Sequence, residues 1–528
     1  MKSLMKKVFA AAAAIATVFG LAATTVATAN AADNATLTVS TTDAKFASKT
    51  VNAYKMFSAT VSGDGKAVSY TLTDEWKPFF KNSVGLTGVT DENVNDKAND
   101  YVSKLKDSTL VAFATKASNW AQTKANNITA DATATVSADA SNGKYTATFT
   151  GLGYGYYVVA VPGATLANAK SQYATLVSVH STKVDADIKG DLPTVDKKVQ
   201  VDGTGKDATD AKIGDTLTFT LTSTIPDMSA YDTYTFNFKD TLSKGLTFGQ
   251  VKSVKVENVT LTENTDYTVT TPTASNNNTL TVAMKDFKKK QQANAGKKIT
   301  VTYTATLNEN AVVGGAGNVN SATIQYSNNP STNGTGESEP SKVRVFTYGF
   351  TVDKYTGDYG ENATRLAGAE FTLAHKDGSA ISFVQVSAGS ATANAVYRVA
   401  KADETGTTTI TTPANGKVVF EGLKNGEYTL TETKAPAGYN KLASAIGVKV
   451  DGQNNGTDTT HATVTITYNN DNNGSNYNQT ASNGVIPVQN NSGVVLPGTG
   501  GMGTIAFTVI GVLVIALGVA WTLKRKNA

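Results

Sequence analysis

The chain has no cysteine and only three histidines among its 528 residues. The missing cysteines exclude disulfides, thiolate metal sites and cysteine nucleophiles. The histidines, His180, His375 and His461, lie far apart in the sequence, which argues against a histidine metal cluster and against a Ser-His-Asp triad. We therefore expect no metal, no other cofactor and no ordinary hydrolase chemistry.

Charged residues are also scarce, at 17% of the chain, and the formal net charge is only +4. Each end of the chain contributes three basic residues and no acid, so the stretch between the ends carries a net −2. A near-neutral body argues against nucleic acid as a partner. With 40% hydrophobic residues, a chain of this length has room for about three globular domains.

The N-terminal end has the pattern of a secretory signal. Lys2, Lys6 and Lys7 precede an apolar run over residues 8–21, and Ala29-Asn30-Ala31 supplies small residues for cleavage. We predict a signal peptide over residues 1–31, cleaved after Ala31, and a secreted mature chain. A retained membrane anchor is the alternative.

The C-terminal end has three features in a fixed order. A pentapeptide is followed by an uncharged stretch over residues 505–523 and then by the basic residues 524–526. Nineteen residues at 1.5 Å each are about enough to cross a hydrocarbon core of about 30 Å, and a basic tail stays on the cytoplasmic side. The pentapeptide consists of Leu496, Pro497, Gly498, Thr499 and Gly500.

This order is similar to the sortase cell-wall sorting signal of Gram-positive surface proteins. The resemblance implies that a sortase thiolate attacks the Thr499 carbonyl and releases Gly500 with the tail. A wall-precursor amine would then give an anchored monomer, whereas a lysine of another copy would give a polymer. A plain membrane-anchored ectodomain is the alternative.

Strict alternation of threonine with apolar residues marks the middle of the chain, for example over residues 216–222 and 299–307. This period predicts half-buried strands of β-sandwich domains. Residues 91–125 depart from it, since Val102, Leu105, Leu110, Phe113 and Trp120 have helical spacing. We predict one or two helices there.

An internal repeat relates the two ends of this body. Phenylalanine, glycine, leucine, glycine and tyrosine recur at the same spacing in residues 149–157 and 420–428. The glycines favour a turn between two strands, so the first and last domains are predicted to share an architecture. Chance convergence is the alternative. In this register Glu432 aligns with Val161.

Turn-rich segments predict the domain boundaries. Asp191-Leu192-Pro193 separates the first domain from the second, and residues 328–341 separate the second from the third. The predicted division is a signal peptide at 1–31, an N-terminal domain at 32–190, a middle domain at 191–342, a C-terminal domain at 343–495 and a sorting signal at 496–528.

Residues 428–439, YTLTETKAPAGY, resemble the E-box of Cna-B-type domains. Together with the sorting signal, they make the chain resemble the sortase-assembled backbone pilins of Gram-positive bacteria. The resemblance implies a mostly β chain with three tandem Ig-like, Cna-type sandwiches, the first with added helices. It further implies a Cna-A-like middle domain, a Cna-B-like C-terminal domain, and Lys–Asn isopeptide bonds within both.

Such a bond has clear chemical requirements. The lysine must be neutral to attack an amide, and burial in apolar surroundings lowers a lysine pKa. A nearby carboxyl must be protonated so that it can transfer protons and polarise the carboxamide. Burial favours this protonated form. Ammonia then leaves, and the product joins two strands as a disulfide would.

The resemblance assigns these roles to particular residues. In the C-terminal domain they are Lys354, the acid Glu432 and the acceptor Asn490, with Asn491 as the alternative acceptor. In the middle domain they are Lys197, the acid Asp240 and the acceptor Asn320. The alternative for Glu432 is an exposed strand carboxylate, and the alternative for the middle-domain set is solvated polar residues on strand faces. Because Val161 stands where the acid would be, we predict no bond of this type in the first domain.

The resemblance also implies a lysine that receives the sorted carboxyl group of another copy, near the end of the first domain. The Tyr-Pro-Lys-Asn motif that often marks it is absent from this sequence. Lys189 lies at about the expected place, with Lys183 and Lys198 as alternatives.

The resulting hypothesis is a major structural subunit of a pilus shaft, anchored in the cell wall and supporting adhesion, and not an enzyme apart from its self-crosslinking. Its implied partners are pilus-specific and housekeeping sortases, identical subunits, accessory pilins and peptidoglycan, with membrane contact only before sorting. The alternatives are a monomeric wall-anchored adhesin and an accessory pilin at the base or tip.

Overall fold

The computed structural model describes residues 34–493 except 64–65, 140–142, 166–173, 230, 329–332, 454–461 and 470–476, together with 511–517 and 521. The predicted cleavage site at Ala31 and the pentapeptide 496–500 lie outside these residues. Strands form six sheets, two from each of three successive stretches of chain. The predicted mostly β fold is thereby confirmed.

The first pair of sheets uses residues 35–187. One sheet has the strand order β5-β6-β1-β9, and the other has the order β3-β2-β7-β8 with β4 beside β2. The strands are β1 Ala35–Thr41, β2 Thr50–Val61, β3 Val68–Leu72, β4 Ala132–Thr135, β5 Ser137–Asp139, β6 Lys144–Leu152, β7 Gly155–Ala160, β8 Ala174–Val179 and β9 Lys183–Asp187.

Three helices belong to this first stretch: α1 Lys77–Asn82, α2 Val94–Ser103 and α3 Asp107–Gln122. Their apolar residues share one core with the second sheet, because α1 and α3 bury Phe79, Phe80 and Phe113 against Phe57 and Tyr156. The helices predicted within residues 91–125 are confirmed as α2 and α3, while α1 was not predicted.

The second pair uses residues 196–346. Its sheets have the orders β11-β10-β13-β19-β15-β16 and β12-β22-β20-β14-β18-β17, with β21 beside β20. The alternation that predicted strands at 216–222 and 299–307 is confirmed in β13 and β19. The elements are β10 Asp196–Val201, β11 Thr204–Lys206, β12 Ala208–Asp210, β13 Thr216–Thr224, β14 Phe236–Leu242, β15 Leu246–Val256, β16 Val259–Thr260, β17 Tyr267–Thr270, β18 Thr279–Met284, helix α4 Phe287–Gln291, β19 Lys298–Leu307, β20 Asn318–Ser327, β21 Thr335–Glu337 and β22 Ser341–Phe346.

The third pair uses residues 348–489. Its sheets have the orders β24-β23-β29-β27-β26, with β34 parallel to β23, and β28-β25-β30-β31-β32-β33. The strands are β23 Tyr348–Thr356, β24 Thr364–Arg365, β25 Glu370–His375, β26 Phe383–Ser387, β27 Ala395–Val399, β28 Ile410–Thr411, β29 Lys417–Leu423, β30 Gly426–Lys434, β31 Ile446–Gln453, β32 Thr463–Tyr468, β33 Gln479–Thr480 and β34 Val485–Gln489.

The internal repeat has the predicted strand, turn and strand, in β6–β7 and again in β29–β30. The two strands of each copy belong to different sheets, so the repeat carries the chain from one sheet of a pair to the other and is not a hairpin. Gly151 and Gly422 have φ values of +74° and +84°, a left-handed conformation that glycine adopts without steric cost.

The chain separates into two compact units. The first comprises residues up to Tyr348 with Gly422–Asn425 and Gly452–Val464, and the second comprises the remainder. The boundary predicted near residue 190 therefore lies inside the first unit. The boundary predicted at 342–343 lies inside β22, which pairs with β20 of the second sheet pair. The chain therefore passes from the second sheet pair to the third after Phe346. The three-domain division stays a prediction.

At the C-terminus, residues 511–517 and Trp521 are helical. Among the residues placed by the structure, no helix combines the length and the hydrophobicity that a membrane crossing requires. Most of the predicted span at 505–523 lies outside those residues, so the transmembrane helix stays a prediction.

Candidate functional site

A buried polar cluster lies in the second sheet pair, around Lys197 on β10. The Lys197 ammonium group forms an ion pair with Oδ2 of Asp240 on β14, and both side chains are fully buried. Lys197 Nζ also donates a hydrogen bond of 2.9 Å to the hydroxyl of Tyr303 on β19. The structure thus brings together the lysine and the acid that the sequence predicted.

Tyr303 connects this pair to the predicted acceptor. Its hydroxyl donates to Asp240 Oδ2 at 2.7 Å and accepts from Asn320 Nδ2 at 2.6 Å. Oδ1 of Asp240 and Oδ1 of Asn320 are buried, and neither has a hydrogen-bond partner among the residues described. The lysine, the acid and the amide therefore share one hydroxyl in a site closed to solvent.

The strand period explains why these polar groups are buried. On β14, Phe236, Phe238, Asp240 and Leu242 are buried in alternation, so the acid occupies an inward position between apolar residues. Asn320 has the same position on β20, the neighbouring strand of that sheet. The pleat alone therefore directs the acid and the amide into the core.

Burial sets the protonation preferences of this cluster. Removal from water lowers the pKa of Lys197 and outweighs the opposite effect of the nearby Asp240 carboxylate. Burial raises the pKa of Tyr303 well above its usual range, so its hydroxyl keeps its proton. The rings of Phe219 and Tyr303 are stacked 5.3 Å apart, and Lys197 Nζ lies 5.1 and 5.2 Å from their centroids.

A second cluster of the same composition lies in the third sheet pair. Lys354 on β23 and Glu432 on β30 are fully buried, with Lys354 Nζ 3.2 Å from Glu432 Oε1. Asn490 follows the end of β34, and its Nδ2 donates to Glu432 Oε2 at 3.0 Å. Lys354 Nζ also donates to the Val488 carbonyl at 3.2 Å, which holds the amine against the strand that leads to Asn490.

Burial lowers the pKa of Lys354 to about 8, although the Glu432 carboxylate opposes this shift. The ring of Phe371 supplies an apolar wall 5.9 Å from Lys354 Nζ. Asn490 is buried, whereas Asn491 is exposed. It is therefore Asn490 that the fold brings to the acid.

The first sheet pair differs at the corresponding place. Val161, which the repeat aligns with Glu432, is buried at 2% exposure. An apolar side chain there supplies neither a proton nor a hydrogen-bond acceptor. The prediction that this pair lacks a bond of the same type stays a prediction.

The three lysines considered for polymerisation lie near the junction of the first two sheet pairs. Lys189 has 27% of its side chain exposed and pairs with Asp187 at 3.2 Å. Lys198 forms ion pairs with Asp196 and Asp207. Lys183 opens the edge strand β9 and is exposed.

The backbone at this junction is held on both sides. Ile188 N–H donates to the Ser40 carbonyl, and Asp191 exchanges two backbone hydrogen bonds with Thr165 at 2.8 and 2.9 Å. Lys189 therefore lies in a short segment whose backbone is hydrogen-bonded on both sides. The lysine that acts in polymerisation stays a prediction.

Reasoning from the sequence missed Tyr303, Phe219 and Phe371. The alternation on β19 marks Tyr303 as an inward residue, which is the one signal the sequence offered. Its contact with Lys197, Asp240 and Asn320 depends on which strands pair, and a period of two says nothing about that.

Three stretches of the chain match the sequence profiles of known families. Residues 213–330 match a Gram-positive pilin backbone subunit 2, Cna-B-like domain. Residues 358–467 match a prealbumin-like fold domain, and residues 488–528 match the LPXTG cell wall anchor motif. The profile for the middle stretch is described as Cna-B-like, whereas the sequence predicted a Cna-A-like domain there.

The trypsin-resistant surface T6 protein of Streptococcus pyogenes serotype M6 is 26% identical over 266 residues, which is 48% of this chain. The chain spans 44% of the length of that relative. Among solved structures, the T6 backbone pilin of S. pyogenes is 18% identical, with 87% of this chain and 98% of that chain covered and a TM-score of 0.46.

The full-length major pilin SpaD of Corynebacterium diphtheriae is 20% identical, with the same two coverages and a TM-score of 0.42. Together, the three profile matches confirm the resemblance found in the sequence. The anchor match also confirms the predicted cell-wall location.

Proposed function

We propose that this chain, which carries a domain of the Gram-positive pilin backbone family and an LPXTG cell-wall anchor, is the repeating structural subunit of a covalent pilus. The observation that carries the proposal is the pair of buried Lys–acid–Asn clusters in successive sheet pairs. Each cluster places a lysine of lowered pKa beside a carboxyl group that also contacts an asparagine amide, directly or through Tyr303.

Each cluster is suited to one self-crosslinking reaction. The neutral lysine amine attacks the asparagine Cγ, and the new C–N bond forms as the carbonyl π electrons move to oxygen. The protonated acid donates its proton to the departing amide nitrogen and then accepts one from the attacking nitrogen. Collapse breaks the old C–N bond and releases ammonia, so the acid is regenerated and no cofactor is consumed.

The two bonds would join different elements. Lys197 and Asn320 lie on strands of the two different sheets of their pair, so this bond would connect the sheets. Lys354 and Asn490 lie on β23 and directly after β34, which are adjacent parallel strands of one sheet. The second bond would therefore connect the first and last strands of the third pair.

Polymerisation would use the two ends of the subunit. A sortase would cleave the bond after Thr499, and an amine of the next copy, for which we propose Lys189, would take the Thr499 acyl group. A head-to-tail contact of this kind repeats without closing on itself. Accessory pilins and the peptidoglycan amine would be alternative acceptors at the ends of the fibre.

Intact-mass measurement of the folded mature region tests the self-crosslinks. Each bond should lower the mass by about 17 Da, because one ammonia leaves for each amide formed. Peptide mapping should join Lys197 to Asn320 and Lys354 to Asn490. A folded preparation with the unshifted mass would refute both bonds.

Immunoblotting of wall proteins released by muramidase tests the shaft. A ladder of high-mass species is expected for a polymer. A single anchored band would refute the shaft hypothesis and favour a monomeric wall-anchored adhesin. That result would not test the self-crosslinks.

A further inference from the structure

The turn after β30 contacts the last described residues of the third sheet pair. The Tyr439 N–H donates to the Pro436 carbonyl at 3.1 Å and closes the turn. Asn440 N–H donates to the Asn491 carbonyl at 3.0 Å, and Gly493 N–H donates to the Gly438 carbonyl at 3.0 Å. We name residues 436–442 the exit turn.

These contacts follow directly after the acceptor. On its upstream side, Asn490 N–H donates to the Tyr355 carbonyl at 3.0 Å and continues the parallel pairing of β34 with β23. On its downstream side, residues 491–493 are bound by the exit turn. The acceptor backbone is therefore fixed at both neighbours, which confines its amide to one small volume.

The acid is bound to the same turn. Glu432 Oε2 accepts a hydrogen bond from the Leu442 N–H at 2.7 Å and another from Asn490 Nδ2 at 3.0 Å. One carboxylate oxygen thus joins the far end of the exit turn to the acceptor side chain. Displacement of the turn would move both the acid and the amide relative to Lys354.

We propose that the exit turn is a positioning element that holds Asn490 for attack by Lys354 and fixes the place where the sorting signal leaves the third sheet pair. This inference rests on the proposed function and adds a second role for Glu432, as the anchor of the turn. Positioning should speed the reaction because amide formation requires the amine at near-contact distance from the carbonyl carbon and aligned with it for attack.

The position also limits the reach of the sorting signal. Six peptide links separate Gly493 from Thr499, a chain length of at most about 20 Å at full extension. A sortase would have to approach the edge of this sandwich within that distance.

Two substitutions at one position test the turn. Gly493→Pro removes the N–H that binds Gly438. Ser492 forms an antiparallel bridge with Tyr439, and such an extended conformation suits a residue before proline. Gly493→Ala keeps the N–H, and its Cβ would lie 3.6 Å from the nearest atom, an ordinary contact. The readout is the rate at which newly refolded full-length chain loses ammonia at Lys354–Asn490, followed by peptide mapping.

We expect Gly493→Pro to slow this crosslink about fivefold to tenfold, the effect of losing one well-placed hydrogen bond, and Gly493→Ala to stay within about twofold of wild type. The Lys197–Asn320 bond in the same molecule serves as the folding control and should form at the wild-type rate in both. Equal rates for the two Gly493 variants would overturn the positioning role. Failure of both bonds in the wild type would instead refute the proposed chemistry.

A second comparison separates the two roles of Glu432. Glu432→Gln keeps an oxygen that can accept from Leu442 and Asn490 but has no acidic proton, whereas Glu432→Ala has neither. With uncrosslinked Asn490→Ala as the reference, amide hydrogen exchange at Asn440 and Gly493 should stay unchanged in Glu432→Gln. It should accelerate about tenfold in Glu432→Ala. Equal exchange in the two Glu432 variants would show that the acid does not anchor the turn.

Discussion

Lys354 is a buried base whose protonation is coupled to one acid. Attack requires a neutral amine and a protonated carboxyl, which together amount to one proton on the Lys354–Glu432 pair. Transfer of that proton from the amine to the acid leaves the number of bound protons unchanged. The fraction of molecules in the reactive form therefore does not change with pH as long as the pair holds one proton. The lowered pKa of about 8 marks the pH at which the proton leaves.

We therefore predict a crosslinking rate that does not change with pH just below 8 and falls about tenfold per pH unit above 8. The measurement dilutes urea-denatured, uncrosslinked chain into buffers of different pH and follows the loss of ammonia by mass. A rate that rises through pH 8 would mean that the ionised acid suffices and that deprotonation of Lys354 alone controls the reaction.

Tyr303 supplies the hydroxyl shared by Lys197, Asp240 and Asn320. Tyr303→Phe keeps the ring that stacks on Phe219 and removes only this oxygen. We predict that formation of the Lys197–Asn320 bond slows about tenfold to a hundredfold. Asp240, the proton-transfer group, loses the hydroxyl that aligns it. Time-resolved mass spectrometry with peptide mapping gives the rate.

The matched control is Tyr234→Phe. Tyr234 is buried in the same sheet pair, and its hydroxyl has no hydrogen-bond partner among the described side chains and backbone. Its loss should leave both crosslinking rates unchanged. If Tyr303→Phe behaved like this control, the hydroxyl would be a structural group alone.

Asp240 and Glu432 stand among alternating apolar residues, so their burial could be predicted from strand period, and motif resemblance suggested their partners. The role of Tyr303 could not be predicted, because its hydroxyl meets the cluster only through the pairing of β10, β13 and β19. Non-local pairing depends on the packing of the whole sandwich.

At the scale of elements, β23 and β34 form the first and last strands of the third pair and lie side by side. A bond between Lys354 and Asn490 closes a loop of about 140 residues, for which the chain-entropy model gives about 5 kcal/mol of stabilisation. Its effect comes from the unfolded chain, which loses conformations, and little new contact is needed in the folded chain.

Asn490→Ala should abolish the mass loss at this site and lower the free energy of unfolding of the third pair by about 5 kcal/mol, measured by denaturant titration. Asn491→Ala is the control, because Asn491 is exposed and its side chain does not contact Glu432 in the described structure. Unchanged mass loss in Asn490→Ala would transfer the acceptor role to Asn491.

The elements also show what the repeat could and could not predict. Phe149 to Tyr157 and Phe420 to Tyr428 were expected to form two strands joined by a turn, and they do. Spacing alone did not show that the strands enter different sheets. A tight turn with a positive-φ glycine serves a hairpin and a sheet-to-sheet crossing equally well.

At the scale of the molecule, the two reacting ends act independently. Lys189→Ala should abolish the high-mass ladder and leave anchored monomer, because Thr499 is still processed. Thr499→Ala should instead leave unprocessed chain in the membrane fraction. Both outcomes are read from immunoblots of wall and membrane fractions.

Lys183→Ala is the matched substitution for Lys189→Ala, since Lys183 lies on β9 beside the same junction and is exposed. An intact ladder in Lys189→Ala together with a lost ladder in Lys183→Ala would transfer the role. A ladder that survives in both would point to Lys198.

The parallel course of β23 and β34 has a mechanical consequence. A pull applied to the two ends of the third pair enters along β23 and leaves after β34, so the hydrogen bonds between these strands are sheared together and not opened one at a time. With Lys354 bonded to Asn490, tension would pass from one strand directly into the other at that bond. The residues from 355 to 489 would then carry no tension. Within the third pair, only the short backbone segment before Lys354 could lengthen under the pull.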